Sequence, residues 1–108
     1  MATNESPKTG SALKLKDIVS CVGSLPRWRM LVELGKGEPL PTSELAKRIR
    51  MSPNAASKHL VQMHKAGLLD RGYGDLYRIP ERFLVSGEPV IDYGALALRL
   101  DYPDPQRK

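Results

Sequence analysis

Apolar positions in the first part of the chain recur every three or four residues, the spacing that lines one face of a helix. Leu15, Ile18, Val19 and Val22 predict a short first helix, ended by Gly23. Ser24 opens a second helix with Pro26 in its first turn, where a missing N–H costs little. Trp28, Leu31, Val32 and Leu34 supply its apolar side, and Gly35-Lys36-Gly37 stops it. Pro39-Leu40-Pro41 reads as extended, because a proline disfavours helical backbone in the residue before it. Thr42 then reads as an N-cap, with Glu44 at the positive end of the helix dipole and Leu45, Ala46 and Ile49 as a compact apolar face. This third helix ends near Arg50.

Ser52-Pro53 restarts the helical pattern with a capping hydroxyl followed by proline at the first helical position. The fourth helix runs to Ala66 and is closed by Gly67. At about 100° per residue, Ala56, Leu60 and Met63 share its buried side. Asn54, Lys58, Val61 and Lys65 point the opposite way, with Ala55 and Gln62 on one flank and Ser57 on the other. From Leu68 to Ile79 the pattern changes to a β-hairpin. Gly74-Asp75 reads as a two-residue turn between Tyr73 and Leu76, which places Arg71 opposite Arg78. Beyond Ile79, Phe83-Leu84-Val85 and Val90-Ile91 flank the turn signal Ser86-Gly87-Glu88-Pro89. Ala95 to Leu100 is apolar on both faces except at Arg99, so it reads as a strand covered on both sides, either by the body or by a second subunit.

These elements predict an α+β, mainly helical architecture: a winged helix-turn-helix over residues 13–79, then a C-terminal β-hairpin or strand over 80–101. Flexible tails are expected at 1–12 and 102–108. The 108 residues suit one domain. No apolar run approaches the roughly 20 residues that cross a bilayer, and the N-terminus lacks the charged-then-apolar order of a secretory signal. Cys21 is the single cysteine, which excludes an intramolecular disulfide, and it reads as a small buried apolar group.

The net charge of +5 points to polyanionic partners, and its position sharpens that reading. Residues 42–79 hold seven basic side chains against three acidic ones. A short capped helix, a tight turn, a longer helix and a hairpin follow in order there. The second helix of such a unit can enter the major groove of DNA, about 12 Å wide, while the hairpin lies beside it.

Ser57-Lys58-His59-Leu60 followed by Lys65-Ala66-Gly67-Leu68-Leu69 resembles the recognition helix and wing entry of the ArsR-type winged-helix regulators. Thr42-Ser43-Glu44-Leu45-Ala46 resembles the start of that family's bracing helix, Pro26-Arg27-Trp28-Arg29-Met30-Leu31 its Arg-centred core helix, and Leu76-Tyr77-Arg78-Ile79 its second wing strand. The resemblance covers residues 13–79 and implies repression or activation by a dimer bound to an operator. Three departures stand out. Arg50 occupies a turn position where the family often has glycine, at a cost of roughly 1 kcal/mol if left-handed. Val61 and Gln62 reverse the usual polar-then-apolar order. Extended structure also replaces the family's C-terminal dimerisation helix.

The candidate recognition-helix contacts are Ser52, Asn54, Ala55, Ser57, Lys58, His59 and Gln62. Gln and Asn can bond adenine bidentately and Lys can reach guanine. The candidate phosphate and wing contacts are Thr42, Lys47, Arg48, Arg50, Lys65, Arg71, Tyr73 and Arg78, which position the protein without reading sequence. Tyr77 reads as core. Metal sensing in the resembling family uses cysteine-containing sites, often on the bracing helix; here Glu44 to Arg50 contains neither Cys nor His. His59 and His64, about 140° apart on one helix, cannot chelate one ion together. No metal, cofactor or membrane partner is expected. Nor is enzymatic activity, since no nucleophile–base arrangement, phosphate-cradling glycine loop or framed carboxylate pair is present. The six aromatic residues form no stacking platform for RNA. The expected partner is double-stranded DNA, bound by a homodimeric transcriptional regulator, in the main a repressor, in a bacterial cytosol or nucleoid. The competing reading is a winged-helix protein-interaction module without sequence-specific DNA binding.

Overall fold

The computed structural model describes residues 13–101, so the two predicted tails, 1–12 and 102–108, lie outside the described residues. Four helices come first: α1 (Leu15–Val22), α2 (Leu25–Leu34), α3 (Thr42–Ile49) and α4 (Pro53–Lys65). In α1, Ile18 and Cys21 face the core. Leu15 and Val19, expected on the apolar face, are 52% and 49% exposed. The buried stripe follows Ile18, Cys21 and Val22, and at about 100° per residue Val19 falls outside it. Ser24 caps α2, its hydroxyl accepting from the Arg27 amide at 3.4 Å. That helix buries Met30, Leu31 and Leu34 fully, while Trp28 and Val32 pack at the margin.

Three short strands follow the helical order: β1 (Leu40–Pro41), β2 (Asp70–Arg71) and β3 (Leu76–Arg78), arranged β1-β3-β2 in one antiparallel sheet. Leu40 pairs with Tyr77, and Pro41 with Leu76. Leu40–Pro41, within the segment expected to be extended, is thus the wing's third strand, a role visible only through partners some 36 residues away. The wing register also differs from expectation. Arg71 lies opposite Tyr77, and Asp70 opposite Arg78. The Gly72 amide donates to the Leu76 carbonyl at 2.8 Å, so Tyr73 joins Gly74 and Asp75 in the turn. Gly74 and Asp75 both have positive φ, at 70° and 58°. The one-residue shift replaces a like-charged Arg71/Arg78 pair by the opposite charges of Asp70 and Arg78, the favourable arrangement across strands.

The remainder forms a second, two-stranded sheet from β4 (Val90–Asp92) and β5 (Ala97–Arg99), with Ile91 opposite Leu98. Leu84 bridges to Ile91, and Phe83 sits in a 3-10 turn, Glu81–Phe83, rather than in a strand. The hairpin is covered on one face only: Ile91, Tyr93, Leu98 and Leu100 are buried with the helices, whereas Ala97 and Arg99 are exposed. It therefore packs on the body, the first of the two expected arrangements. A Cβ on Gly35 would collide with Leu100 and the Leu31 carbonyl, so glycine at the end of α2 lets the hairpin approach. Cys21 is buried, and that burial pushes its thiol pKa up.

Tyr93 anchors the hairpin twice. Its ring meets Phe83 edge-on at 4.9 Å, and its buried hydroxyl donates to the Leu68 carbonyl at 2.9 Å. Tyr93→Phe keeps the ring and strands that carbonyl. A loss of about 1–3 kcal/mol is expected in urea unfolding, the cost of a buried acceptor without a donor.

Candidate nucleic-acid interface

The helix-turn-helix is built by backbone geometry that the sequence dictates locally. Arg50 takes the left-handed conformation, φ 60° and ψ 53°. The Met51 amide then reaches back to the Ala46 carbonyl at 3.0 Å, the wrap that closes a helix C-terminus. Thr42 is itself the first residue of α3: Pro41 holds the cap position and no side chain caps that helix. Proline's fixed extended geometry delivers the chain from β1 directly into the helix, which leaves no place for the expected threonine cap. Ser52 does cap α4, its hydroxyl accepting from the Ala55 amide at 3.2 Å. Gly67, at φ 87°, ends α4, and the Leu68 amide bonds to the Met63 carbonyl at 3.0 Å.

Arg50→Gly separates the two demands on this turn. Glycine relieves the left-handed strain, and the expected gain is up to about 1 kcal/mol in thermal or urea unfolding. The same change removes a cation at the turn, so duplex affinity is expected to fall even as stability rises.

The seat of α4 is apolar. Ala56, Leu60 and Met63 are fully buried, against Leu45, Ala46 and Ile49 of α3 within one core. Its outer side presents Asn54, Lys58 and Gln62 exposed, with Ala55, Ser57, His59 and Val61 half-buried. Val61 thus tucks against the margin despite its reversed order with Gln62. Thirteen residues at about 1.5 Å each make a rod of about 20 Å, long enough to lie across a major groove.

The predicted cations divide into two groups. Lys47, Arg50, Lys58, Lys65 and Arg78 are exposed, and among the described residues none makes an ion pair. Arg48 is engaged: Nε donates to Glu44 at 2.9 Å and Nη1 to Glu33 at 3.2 Å, with Glu38 at 4.0 Å. Those bonds, Glu44 first, hold its pKa above the ordinary arginine value. Arg71 pairs with Asp75 across the wing turn, and its guanidinium lies 5.5 Å from the Tyr77 ring centre. Both arginines are structural clamps in this arrangement and offer little free charge to a phosphate. Tyr73, at the wing tip, is 98% exposed. Tyr77 is buried as expected.

One contact carries no sequence signal. The Arg27 Nε–H of α2 donates to His59 Nδ1 of α4 at 3.0 Å. Both residues sit in recognisable segments, yet nothing in their spacing joins them. Among the described residues no three His, Cys, Asp or Glu side chains group as a metal site. No helix among these residues is long and apolar enough to cross a membrane.

A short α3, a left-handed turn, an outward-facing α4 and a three-stranded wing define a winged helix-turn-helix, a fold whose basic outer surface suits nucleic acid. The comparison with protein families agrees: a model described as a helix-turn-helix domain matches residues 27–71, from α2 to β2. The chain therefore carries a helix-turn-helix domain, which points to DNA as a partner. No curated protein and no solved structure matches the chain.

Proposed function

We propose that this protein is a sequence-specific double-stranded-DNA-binding transcriptional regulator of ArsR type, acting as a homodimeric repressor in the cytoplasm and without enzymatic activity. The observation that carries this reading is the outer side of α4: Asn54, Lys58 and Gln62 stand exposed, and Lys58 makes no ion pair among the described residues. Base-reading side chains are held on a rod whose opposite side is locked into the core, and Lys47, Arg50, Lys65 and Arg78 surround it as cations for phosphates. A two-fold dimer would read an inverted repeat. The exposed Leu15 and Val19 of α1 are apolar side chains that a second copy would cover.

Selection of bound sequences from a random duplex pool tests the proposal. An enriched inverted repeat supports sequence-specific binding by a dimer. A single unrepeated site retains DNA reading and removes the dimer. Equal recovery of all sequences, or no retardation of duplex at low salt, favours the protein-interaction module, for which Leu15 and Val19 would be the contact surface instead.

A further inference from the structure

Arg27 and His59 are 32 residues apart in sequence, and their hydrogen bond ties α2 to the middle of the DNA-facing helix. An imidazole that accepts at Nδ1 carries its proton on Nε2 and is neutral. We propose that Arg27 is a positioning residue for DNA binding: by holding neutral His59 it fixes the seat of α4, so duplex affinity falls when His59 takes up a proton. This inference rests on the DNA-binding reading and adds a regulation to it.

The surroundings set the sign. From α2 the charged neighbour is Arg27, and from α1 the buried Cys21 thiol and Asp17 lie close enough to act on one another, with Arg27 also acting on Cys21. One turn away on α4 stand Ala55, Ala56, Gln62 and Met63, and the buried face of α3 is Leu45, Ala46 and Ile49, all uncharged. Among the described residues no carboxylate bonds to the imidazole, so an imidazolium would face a guanidinium at hydrogen-bond distance with its acceptor lost. Burial first, then the Arg27 charge, hold the His59 pKa below 6.5. A depressed histidine pKa gives stability that is present above the unfolded value of 6.5 and lost as pH falls through the folded value. For DNA affinity, simple charge counting predicts the opposite: one more positive charge strengthens binding to a polyanion. The sign of the pH slope therefore separates the two accounts.

The experiment is fluorescence anisotropy of the full chain with a labelled duplex of about 20 base pairs, at fixed ionic strength, from about pH 8 to about pH 5.5. An H64Q background removes the other of the two histidines. Affinity is expected to be flat above about pH 7 and at least about threefold weaker at the acid end. H59Q, which retains an acceptor but cannot titrate, is expected to flatten the profile. R27M is expected to weaken binding severalfold at about pH 8 without reducing the salt slope, since Arg27 acts through His59 and not on phosphate. In the free protein, NMR titration of His59 should give a midpoint below 6.5 that moves up toward that value in R27M. Affinity that rises toward acid pH in the parent protein, or an R27M profile identical to it, overturns the inference while leaving DNA binding intact. If R27M does not fold, H59Q decides: an unflattened profile overturns the inference. If the parent protein binds no duplex at low salt, the DNA reading fails and takes this inference with it, even where NMR shows the contact.

Discussion

Leu60→Ala is expected to remove about 2–5 kcal/mol of stability, the range for deleting a fully buried leucine and leaving a cavity behind. That is a large share of the roughly 5–15 kcal/mol that holds a domain of this size together. At about 4–8 °C per kcal/mol, the thermal midpoint should drop steeply. Leu60 sits where α4 meets the core, one helical turn from Ala56 and Met63, which are equally buried. Gln62→Ala, on the exposed side of the same helix, should shift stability by no more than about 0.5 kcal/mol. Paired thermal unfolding of the two variants measures how one-sided the helix is. Comparable losses from both would mean that the outer side is packed and not available to a duplex.

Lys58→Ala is expected to weaken binding to the selected duplex by about fivefold to about 150-fold, from the ~1–3 kcal/mol that one good base contact supplies. Its discrimination between the selected site and random duplex should fall with it. Lys47→Ala should lower affinity for every sequence alike and reduce the salt slope by about one. Arg48→Ala provides the contrast that the structure adds. Its guanidinium is already bound to Glu44 and Glu33, so the salt slope should hardly move while stability declines. Anisotropy titrations over a series of salt concentrations separate all three. A salt slope that falls as much for Arg48→Ala as for Lys47→Ala would mean that the carboxylate cluster opens on DNA.

The parts legible in the sequence are those decided by neighbours along the chain. The Ser52 cap, Pro53 at the start of α4, the Gly67 stop and the buried trio Ala56, Leu60 and Met63 each follow from a local rule, and each stands where expected. The left-handed Arg50 belongs with them, because a short turn between two helices needs one residue of that conformation. What escaped depends on distant partners. Two-residue β1 exists only because β3 pairs with it. The wing register slipped by one because Tyr73 joined the turn, which set Asp70 rather than Arg71 opposite Arg78. In α1, apolar spacing marked Val19 as core, although only the side facing α2 is covered. Among the candidate contacts, charge counting could not foresee that Glu33, Glu38 and Glu44 converge on Arg48, or that Arg71 folds over Tyr77 toward Asp75. The C-terminal hairpin was legible as strands and turn, but its attachment through Tyr93 to Leu68 was not.

If the outer side of α4 meets DNA, amide chemical-shift mapping during titration with the selected duplex will show it. Shifts are expected to concentrate on residues 52–65, with a second group at the wing turn around Tyr73 and Gly74 and little change in β4 and β5. Shifts confined to residues 80–101, with α4 silent at saturation, would contradict it.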